Sequence, residues 1–251
     1  MRYLSTLFIV IFFMTGCGTT TVPVTGRSQV MLVSEKQTLD MGLKSYREFL
    51  EKAKISDDIE ATKMVKRVGR KIAKVSNRDD FNWEFNLVEN KQINAFCLPG
   101  GKVIVYTGIL KVAKNEDQLA TVMSHEIAHA LARHGAERMS HSMISNSLYS
   151  LGSILVQSKA PQYSSTFKQA YGLGSQIGFM LTYSRKHEYE ADEIGVYLMH
   201  KAGYDINEAL KFWQNMKKQS KSTQPEFMST HPHSENRIKK ISEIIGVING
   251  K

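Results

Sequence analysis

The sequence predicts an α+β fold that is mostly helical. Apolar residues recur at helical spacing through most of the chain, whereas alternation of apolar and polar residues is confined to residues 83–106. The order is helices, a small sheet and then many helices, with no internal repeats. With 251 residues, 42% hydrophobic and 23% charged, the composition is that of an ordinary globular protein. It excludes a collagen-like, a wholly disordered or a multi-span membrane protein.

The chain is basic, with a formal net charge of +9. Such a charge permits nucleic acid or an anionic membrane surface as a partner. The sequence has no compact run of Lys and Arg interleaved with aromatic residues, so we interpret the charge as a solvated surface and expect no nucleic-acid partner. Two cysteines, Cys17 and Cys97, exclude a disulfide-rich scaffold and a four-cysteine zinc module.

The N-terminus predicts a lipoprotein signal peptide over residues 1–16. The apolar run Leu7–Met14 would span only about 12 Å as a helix, far less than the roughly 30 Å bilayer core. Met14-Thr15-Gly16-Cys17 resembles the bacterial lipobox, in which the cysteine becomes the lipidated first residue. Because Gly18 and not Asp follows, we expect an outer-membrane anchor facing the periplasm. A plain secretory signal with an incidental cysteine is the alternative.

The first half of the mature chain predicts a tether, two helices and two strands. Residues 17–33 lack a helical period and predict a lipidated tether leading to the domain, and Cys97 is expected to be a small buried hydrophobe. Apolar residues at helical spacing predict helices over residues 34–54 and 57–76, and one of two aspartates caps the second helix. Strands are predicted around Trp83–Leu87 and, after the turn Pro99-Gly100-Gly101, around residues 102–106.

The second half predicts helices separated by one long segment. Their expected bounds are 115–136 opening at Asn115, 184–202 ending at Gly203, 206–218 with a capping box of Asp205 and Glu208, and 235–247 capped by Ser234. Residues 138–183 are rich in Ser, Gly and Met. For them we expect one or two helices with a mobile portion covering a cleft, and a surface helical hairpin is the alternative.

Residues 125–129 form an HExxH sequence, His125-Glu126-Ile127-Ala128-His129. Positions i and i+4 stack on one face of a helix, so both imidazoles can reach one ion, with Glu126 beside any water on that ion. Neutral imidazole suits zinc, and a catalytic zinc keeps three protein ligands plus water. Two surface histidines on an ordinary helix are the alternative. The apolar surroundings favour burial, and buried polar groups need partners.

The expected third ligand is Glu188. No Asp or Glu occurs between Arg138 and His187, and in the helix that follows Glu188 and Asp192 lie on the apolar stripe, one turn apart. We interpret Glu188 as a zinc ligand and Asp192 as a group that orients a histidine or acts in acid–base catalysis. Two partly exposed acids at the edge of the stripe are the alternative. Glu190 is expected to face solvent, and Gly195 should let this helix approach the HExxH helix closely.

Two segments together resemble a metallopeptidase family. His125–His129 is followed by Arg133-His134, and residues 184–195 have the pattern Ser-Arg-x-x-Glu-x-Glu-Ala-Asp-x-x-Gly. These motifs are similar to the gluzincin family of HtpX and the CAAX prenyl-protein endopeptidases. Residues 94–101 are similar to the segment that precedes that family's metal helix. The resemblance covers about residues 35–245, within one peptidase domain expected over 34–251. With the lipobox it implies an outer-membrane lipoprotein member without a C-terminal tetratricopeptide domain.

The expected function is therefore zinc-dependent endoproteolysis of misfolded or unassembled envelope proteins, with one zinc per chain. Glu126 and Asp192 are the candidate catalytic residues, and His125, His129 and Glu188 are the candidate ligands. Residues 102–106 are a candidate edge strand on which an extended substrate could add. The candidates for stabilising the oxyanion are Tyr183, Arg185 and Arg237. An assembly chaperone of the envelope with a mainly structural zinc is the alternative from another functional class.

Residues 229–233, Ser-Thr-His-Pro-His, precede the last helix without a regular period. A turn whose histidines face solvent is one interpretation. The family resemblance implies another, because Thr-His-Pro followed by Arg237 resembles a segment in which the histidine becomes a fourth zinc ligand. His231 would then close the site that a catalytic zinc leaves open for water, and so inhibit the enzyme.

Overall fold

A computed structural model describes residues 19–174, 181–220, 226–231 and 235–250. Cys17, Ser234 and the predicted signal peptide lie outside these ranges. The α+β, mostly helical fold is confirmed. Contacts divide the chain into two compact units. The first unit joins the N-terminal residues up to Glu35 to Arg133–Ser184, and the second joins Lys36–Ala132 to Arg185–Lys251. The single domain expected over 34–251 stays a prediction.

The elements follow one another as two strands, two helices, three strands and a helical remainder. They are β1 (Thr19–Thr21), β2 (Ser28–Val30), α1 (Glu35–Leu50), α2 (Ile59–Val75), β3 (Glu84–Val88), β4 (Ala95–Leu98), β5 (Lys102–Tyr106), α3 (Glu116–Leu131), α4 (His134–Lys159), α5 (Ser164–Gly174), α6 (Leu181–Lys201), α7 (Glu208–Ser220), α8 (Glu226–Thr230) and α9 (Glu235–Ile248). Within the described ranges, no helix combines the length and apolarity that crossing a bilayer requires.

The predicted tether is partly wrong, because β1 and β2 form an antiparallel hairpin. Val24 and Gly26 adopt positive φ angles of 71° and 67° in the connecting turn. The hairpin is fixed to α4 by Arg27, whose guanidinium donates to both carboxylate oxygens of Glu137 at 2.8 and 2.7 Å. Glu137 is 1% exposed, so the ion pair is largely shielded from water. Glu137 lies 110 residues after Arg27, so the local sequence that predicts a tether gives no sign of this ion pair.

Two helices, α4 and α5, account for most of the long middle segment, as predicted. They are held together by aromatic rings, among them Tyr149 stacked on Phe167 with centroids 6.0 Å apart. The helix predicted over 115–136 is too long, since Arg133 adopts a left-handed φ of 55° and separates α3 from α4. Residues 175–180 lie outside the described ranges, so a mobile cover stays a prediction.

The sheet of the second unit has the order β3-β5-β4. Strand β5 is central and buried along its whole length, parallel to β3 and antiparallel to β4. The expectation that residues 102–106 form an edge is therefore wrong, and the edge strand is β4. With only four residues, β4 is too short for its sequence to show a clear alternation of apolar and polar residues. Cys97 lies on β4 and is half-buried, less than the predicted buried hydrophobe, and burial raises the pKa of its thiol.

Capping interactions fix the starts of two helices. Asp58 accepts a hydrogen bond from the Ala61 amide at 2.9 Å at the start of α2, and Asn115 accepts one from the Gln118 amide at 2.8 Å at the start of α3. The capping box predicted for α7 is wrong. Glu208 instead accepts hydrogen bonds from Asn115 Nδ2 at 3.0 Å and Gln118 Nε2 at 2.8 Å. These bonds join the start of α7 to the start of α3.

Candidate metal centre

The HExxH residues lie on α3, a helix that is buried from Gln118 to Ala128. Its apolar residues pack the helix into the core of the second unit, with Leu119, Met123 and Ile127 fully buried. The helical period places His125 and His129 one turn apart, and their Nε2 atoms lie 3.1 Å from each other. Both imidazoles therefore present a nitrogen to the same point.

Helix α6 brings Glu188 to this histidine pair. Its Oε2 lies 3.3 Å from His125 Nε2, and its Oε1 lies 3.4 Å from His129 Nε2. The approach depends on Gly195, because a Cβ added there would lie 3.2 Å from the His125 backbone nitrogen. The predicted role of Gly195 as a close-contact residue agrees with this geometry.

His231, at the end of α8, completes a group of four. The donor atoms of His125, His129, Glu188 and His231 all lie within 4.8 Å of one another. His231 Nδ1 is 3.1 Å from Glu188 Oε1 and 3.3 Å from His125 Nε2. The fully buried Phe227 positions it, since the His231 amide donates to the Phe227 carbonyl at 2.8 Å and the two rings stack.

The distances between these donors fit a zinc ion. A tetrahedral zinc bound at about 2.0–2.1 Å places its ligands about 3.3 Å apart. Five of the donor-to-donor distances, given above, lie between 3.1 and 3.4 Å, and no pair of the four donor atoms is more than 4.8 Å apart. Three imidazoles and one carboxylate also match the ligand types that zinc prefers. The residues therefore fit the predicted metal, although the ligand role of each one stays a prediction.

Glu126 lies beside the four donors but is not among them. It is 3% exposed, its Oε1 is 3.4 Å from His231 Nε2, and within the described ranges this oxygen makes no hydrogen bond. Burial raises the pKa of Glu126 above its usual range. A buried carboxylate with a free oxygen and a raised pKa can take up a proton and release it again.

Asp192 is held by Arg237 and faces a histidine. The Nε and Nη2 groups of Arg237 donate to the two oxygens of Asp192, each at 2.7 Å. Asp192 Oδ1 also lies 3.0 Å from His125 Nδ1, on the side of the ring away from Glu188. Burial alone would raise the pKa of Asp192, but the Arg237 charge brings it below its usual range. With both oxygens engaged, Asp192 is placed to orient His125 and not to exchange protons with a substrate.

Arg237 is the residue whose role the sequence left most open. Its Nη1 lies 3.0 Å from Glu188 Oε2, and its guanidinium stacks 4.1 Å from the centre of the Trp213 ring. Its charge is thus shared by two buried carboxylates, which does not favour the predicted oxyanion role. Of the other two candidates, Arg185 is exposed and the Tyr183 side chain lies outside the described part of the structure.

The expectation that Glu190 faces solvent is wrong, because it is 6% exposed. Its neighbour His187 is 2% exposed, so α6 is buried on more sides than the single stripe predicted. A helix surrounded by protein needs no polar face, and the period of its apolar residues then no longer marks one inward side.

An HExxH helix completed by a carboxylate from a second helix is the arrangement of a metallopeptidase centre. The chain belongs to peptidase family M48, whose family model matches residues 60–245. The family resemblance predicted from the two motifs is therefore confirmed. Members of this family are metallopeptidases, in keeping with the metal-compatible group described above.

The curated relatives of this chain include bacterial and mitochondrial proteases. The chain is 38% identical over 184 residues to the mitochondrial metalloendopeptidase OMA1 of Schizosaccharomyces pombe, covering 72% of this chain and 52% of the relative. It is 31% identical over 223 residues to the beta-barrel assembly-enhancing protease of Escherichia coli, covering 87% and 46%. Human OMA1 is 30% identical over 253 residues, covering 95% and 48%. The chain thus spans about half the length of the curated relatives it matches.

Proposed function

We propose that the protein is a zinc-dependent endopeptidase. The observation that carries this proposal is the buried Glu126 carboxylate beside a group of four metal-compatible donors, with one oxygen that makes no hydrogen bond to any described residue. A purely structural zinc site needs its ligands but no adjacent free carboxylate. Membership of peptidase family M48 supports the same conclusion.

In this proposal, His125, His129 and Glu188 would hold a zinc ion, and the chemistry that it would supply is Lewis-acid polarisation of the scissile carbonyl and a lowered pKa of the attacking water. Glu126 would accept a proton from the attacking water and pass it to the leaving amine. Arg237 and Asp192 keep Glu188 and His125 oriented. The edge strand β4 packs beside α3, so an extended substrate can add to it through main-chain hydrogen bonds.

The proposed substrates are misfolded or unassembled proteins of the bacterial envelope. Binding along a strand edge requires an extended substrate segment, which folded proteins rarely expose. Similarity to the beta-barrel assembly-enhancing protease of Escherichia coli supports an envelope role. The mitochondrial relatives support the chemistry but belong to another compartment.

A chaperone with a structural zinc is the second candidate. The observation in its favour is His231, since four protein ligands are typical of closed structural zinc sites. The two functions separate in a Glu126→Gln chain, which removes the base and leaves all four donors. Full function of that chain in cells would favour the chaperone.

We propose that His231 inhibits the enzyme as a removable fourth ligand. His231→Ala is expected to raise peptide hydrolysis several-fold, because the position that water must occupy is no longer taken by an imidazole. Zinc content should stay at about one per chain, since His125, His129 and Glu188 remain. The measurement is hydrolysis of an unfolded fluorogenic protein together with metal analysis.

Two variants serve as controls for His231→Ala. Ser229→Ala changes an exposed residue two positions away, and His233→Ala changes the second histidine, which lies outside the described residues. Both should cleave at the parent rate. A His231→Ala chain that binds zinc but cleaves at or below the parent rate would show that His231 is structural or catalytic.

We also propose a lipid anchor on Cys17 in the outer membrane, with the peptidase facing the periplasm. The support is the lipobox-like Met14-Thr15-Gly16-Cys17 followed by Gly18. Cys17→Ser should give an unprocessed or soluble protein in cell fractionation, while Cys97→Ser should leave the outer-membrane fraction unchanged. Mass spectrometry that finds an unmodified Cys17, or cleavage at another position, would contradict the anchor.

A further inference from the structure

We propose that a groove between α2 and β3 binds an acidic, extended polypeptide segment. The groove is a cavity of about 440 Å³, and its lining includes Lys66, Arg70 and Lys74 on the helix and Trp83 and Asn86 on the strand side. None of its lining residues belongs to the metal-compatible group. The groove is therefore a second site, distinct from the site of the proposed hydrolysis.

The three cations of the groove lack ion-pair partners among the described residues, unlike Lys63 and Arg67 of the same helix. Lys63 pairs with Glu60 at 2.8 Å, and Arg67 pairs with Glu116. Lys66, Arg70 and Lys74 instead follow one another at four-residue steps along one face of the helix. Like charges at this spacing repel each other and destabilise a helix, so an anion bound in the groove would relieve the repulsion.

The acids of the groove do not cancel this charge. Glu84 lines the cavity, but it pairs with Lys102 Nζ at 2.6 Å and accepts a hydrogen bond from Tyr46 at 2.8 Å. Asp79 is the other acid in the lining. Three cations thus face a single acid that is not already neutralised, and the groove favours an anionic occupant.

The spacing of the cations indicates an extended chain and not a single phosphate. Four residues of α-helix rise about 6 Å, and residues on one side of a β-strand repeat about every 6.6 Å. Acidic side chains at alternate positions of a strand can therefore meet Lys66, Arg70 and Lys74 in order. A phosphate group would need cations that converge on one point, whereas these extend over about 12 Å of helix.

The adjoining strand offers main-chain partners to such a segment. β3 is an edge of its sheet, with β5 on its inner side. On the outer side, the Leu87 carbonyl accepts a hydrogen bond from the Ser56 amide at 2.9 Å. Because strand residues alternate, the main-chain groups of Phe85 face the same outer side, next to the cavity. Residues 54–56 hydrogen-bond to one end of the outer edge of β3, at Leu87 and Glu89. A bound segment would pair with the rest of this edge, next to Phe85.

The test measures binding of a fluorescein-labelled nonapeptide of alternating Glu and Val by anisotropy. The protein is the full chain carrying Glu126→Gln, so that the peptide is not consumed. Combined Lys66→Gln, Arg70→Gln and Lys74→Gln should raise the Kd about tenfold, since three exposed charge pairs are lost. The matched control, Lys36→Gln with Lys91→Gln and Lys239→Gln, removes the same charge from exposed positions elsewhere and should leave the Kd within about twofold.

Charge reversal gives an independent check. Lys66→Glu, Arg70→Glu and Lys74→Glu together should abolish binding of the Glu-Val peptide and create binding of a Lys-Val peptide of equal length. Equal affinity of the Gln triple variant and its control would overturn the proposal. It would also be overturned if these cations governed binding to phosphatidylglycerol vesicles and not to the peptide. Neither result bears on hydrolysis, so the proposed peptidase activity is tested separately.

Discussion

Glu126→Gln should lower the rate of peptide hydrolysis by about 10²–10⁴-fold, the range that a positioned general base contributes. The amide that replaces the carboxylate has nearly the same shape but cannot accept the proton of the attacking water. No donor to the metal is changed, because Glu126 is not one of the four residues of the group. The variant should therefore bind zinc at about one per chain and unfold at nearly the parent temperature.

Burial shifts the pKa at which Glu126 accepts and releases a proton. The raised pKa of Glu126 brings its proton affinity closer to that of a water whose pKa a metal has lowered, and such matching favours transfer in both directions. The rate is measured as kcat/KM on an unfolded fluorogenic protein, alongside zinc content. Glu116→Gln is the matched control, because it removes a more exposed carboxylate from the same helix.

Two outcomes would contradict the assignment of Glu126. Hydrolysis at the parent rate with zinc retained would show that another group accepts the proton. Loss of zinc together with activity would show that Glu126 helps to hold the metal. A third result, an inactive chain that fully restores function in cells, would support the chaperone in place of the peptidase.

The features that the sequence predicted well are those set by local period. His125 and His129 are joined by one helical turn, and the acid at 188 lies on the stripe that also carries Gly195. Such relations need no knowledge of distant contacts. The same holds for the start of α2, where Asp58 is the cap.

The features that sequence reasoning missed depend on residues far apart in the chain. Arg237 comes 45 residues after Asp192, and nothing in its own segment shows that it pairs with two buried acids. Strand order is equally non-local, so the sequence predicts an edge strand at β5, although β4 lies outside it. The apolar stripe of α6 predicts that Glu190 faces solvent, but this helix is buried on several sides and Glu190 is buried with it.

Glu188→Gln should weaken zinc binding by more than about a hundredfold. Changing a residue that only orients a ligand typically costs about 10–100-fold, and the direct loss of a carboxylate ligand should cost more. Burial alone would raise the pKa of Glu188, but hydrogen bonds to His125 and His129 hold it well below its usual range. The carboxylate is therefore charged and ready to bind a cation.

The fold should survive this change. Arg237 keeps its two hydrogen bonds to Asp192, so its buried charge does not lose every partner. Zinc affinity is measured by competition with a chelator of known affinity, and folding by circular dichroism of the metal-free chain. Asp192→Asn is the matched control, one turn away on the same helix, and should lose only about 10–100-fold because it touches a ligand and not the metal.

The three chains should differ in zinc affinity in a fixed order. The parent should bind most tightly, then Asp192→Asn and then Glu188→Gln. A reversed order would make Asp192 the ligand and Glu188 the orienting group.

His231 can partly conceal the loss of zinc affinity, since Glu188→Gln still has three imidazoles around the site. Adding His231→Ala to Glu188→Gln should therefore lower the affinity further, whereas His231→Ala alone leaves a complete set of three ligands. If the double variant bound zinc as tightly as Glu188→Gln, His231 would not be a fourth ligand.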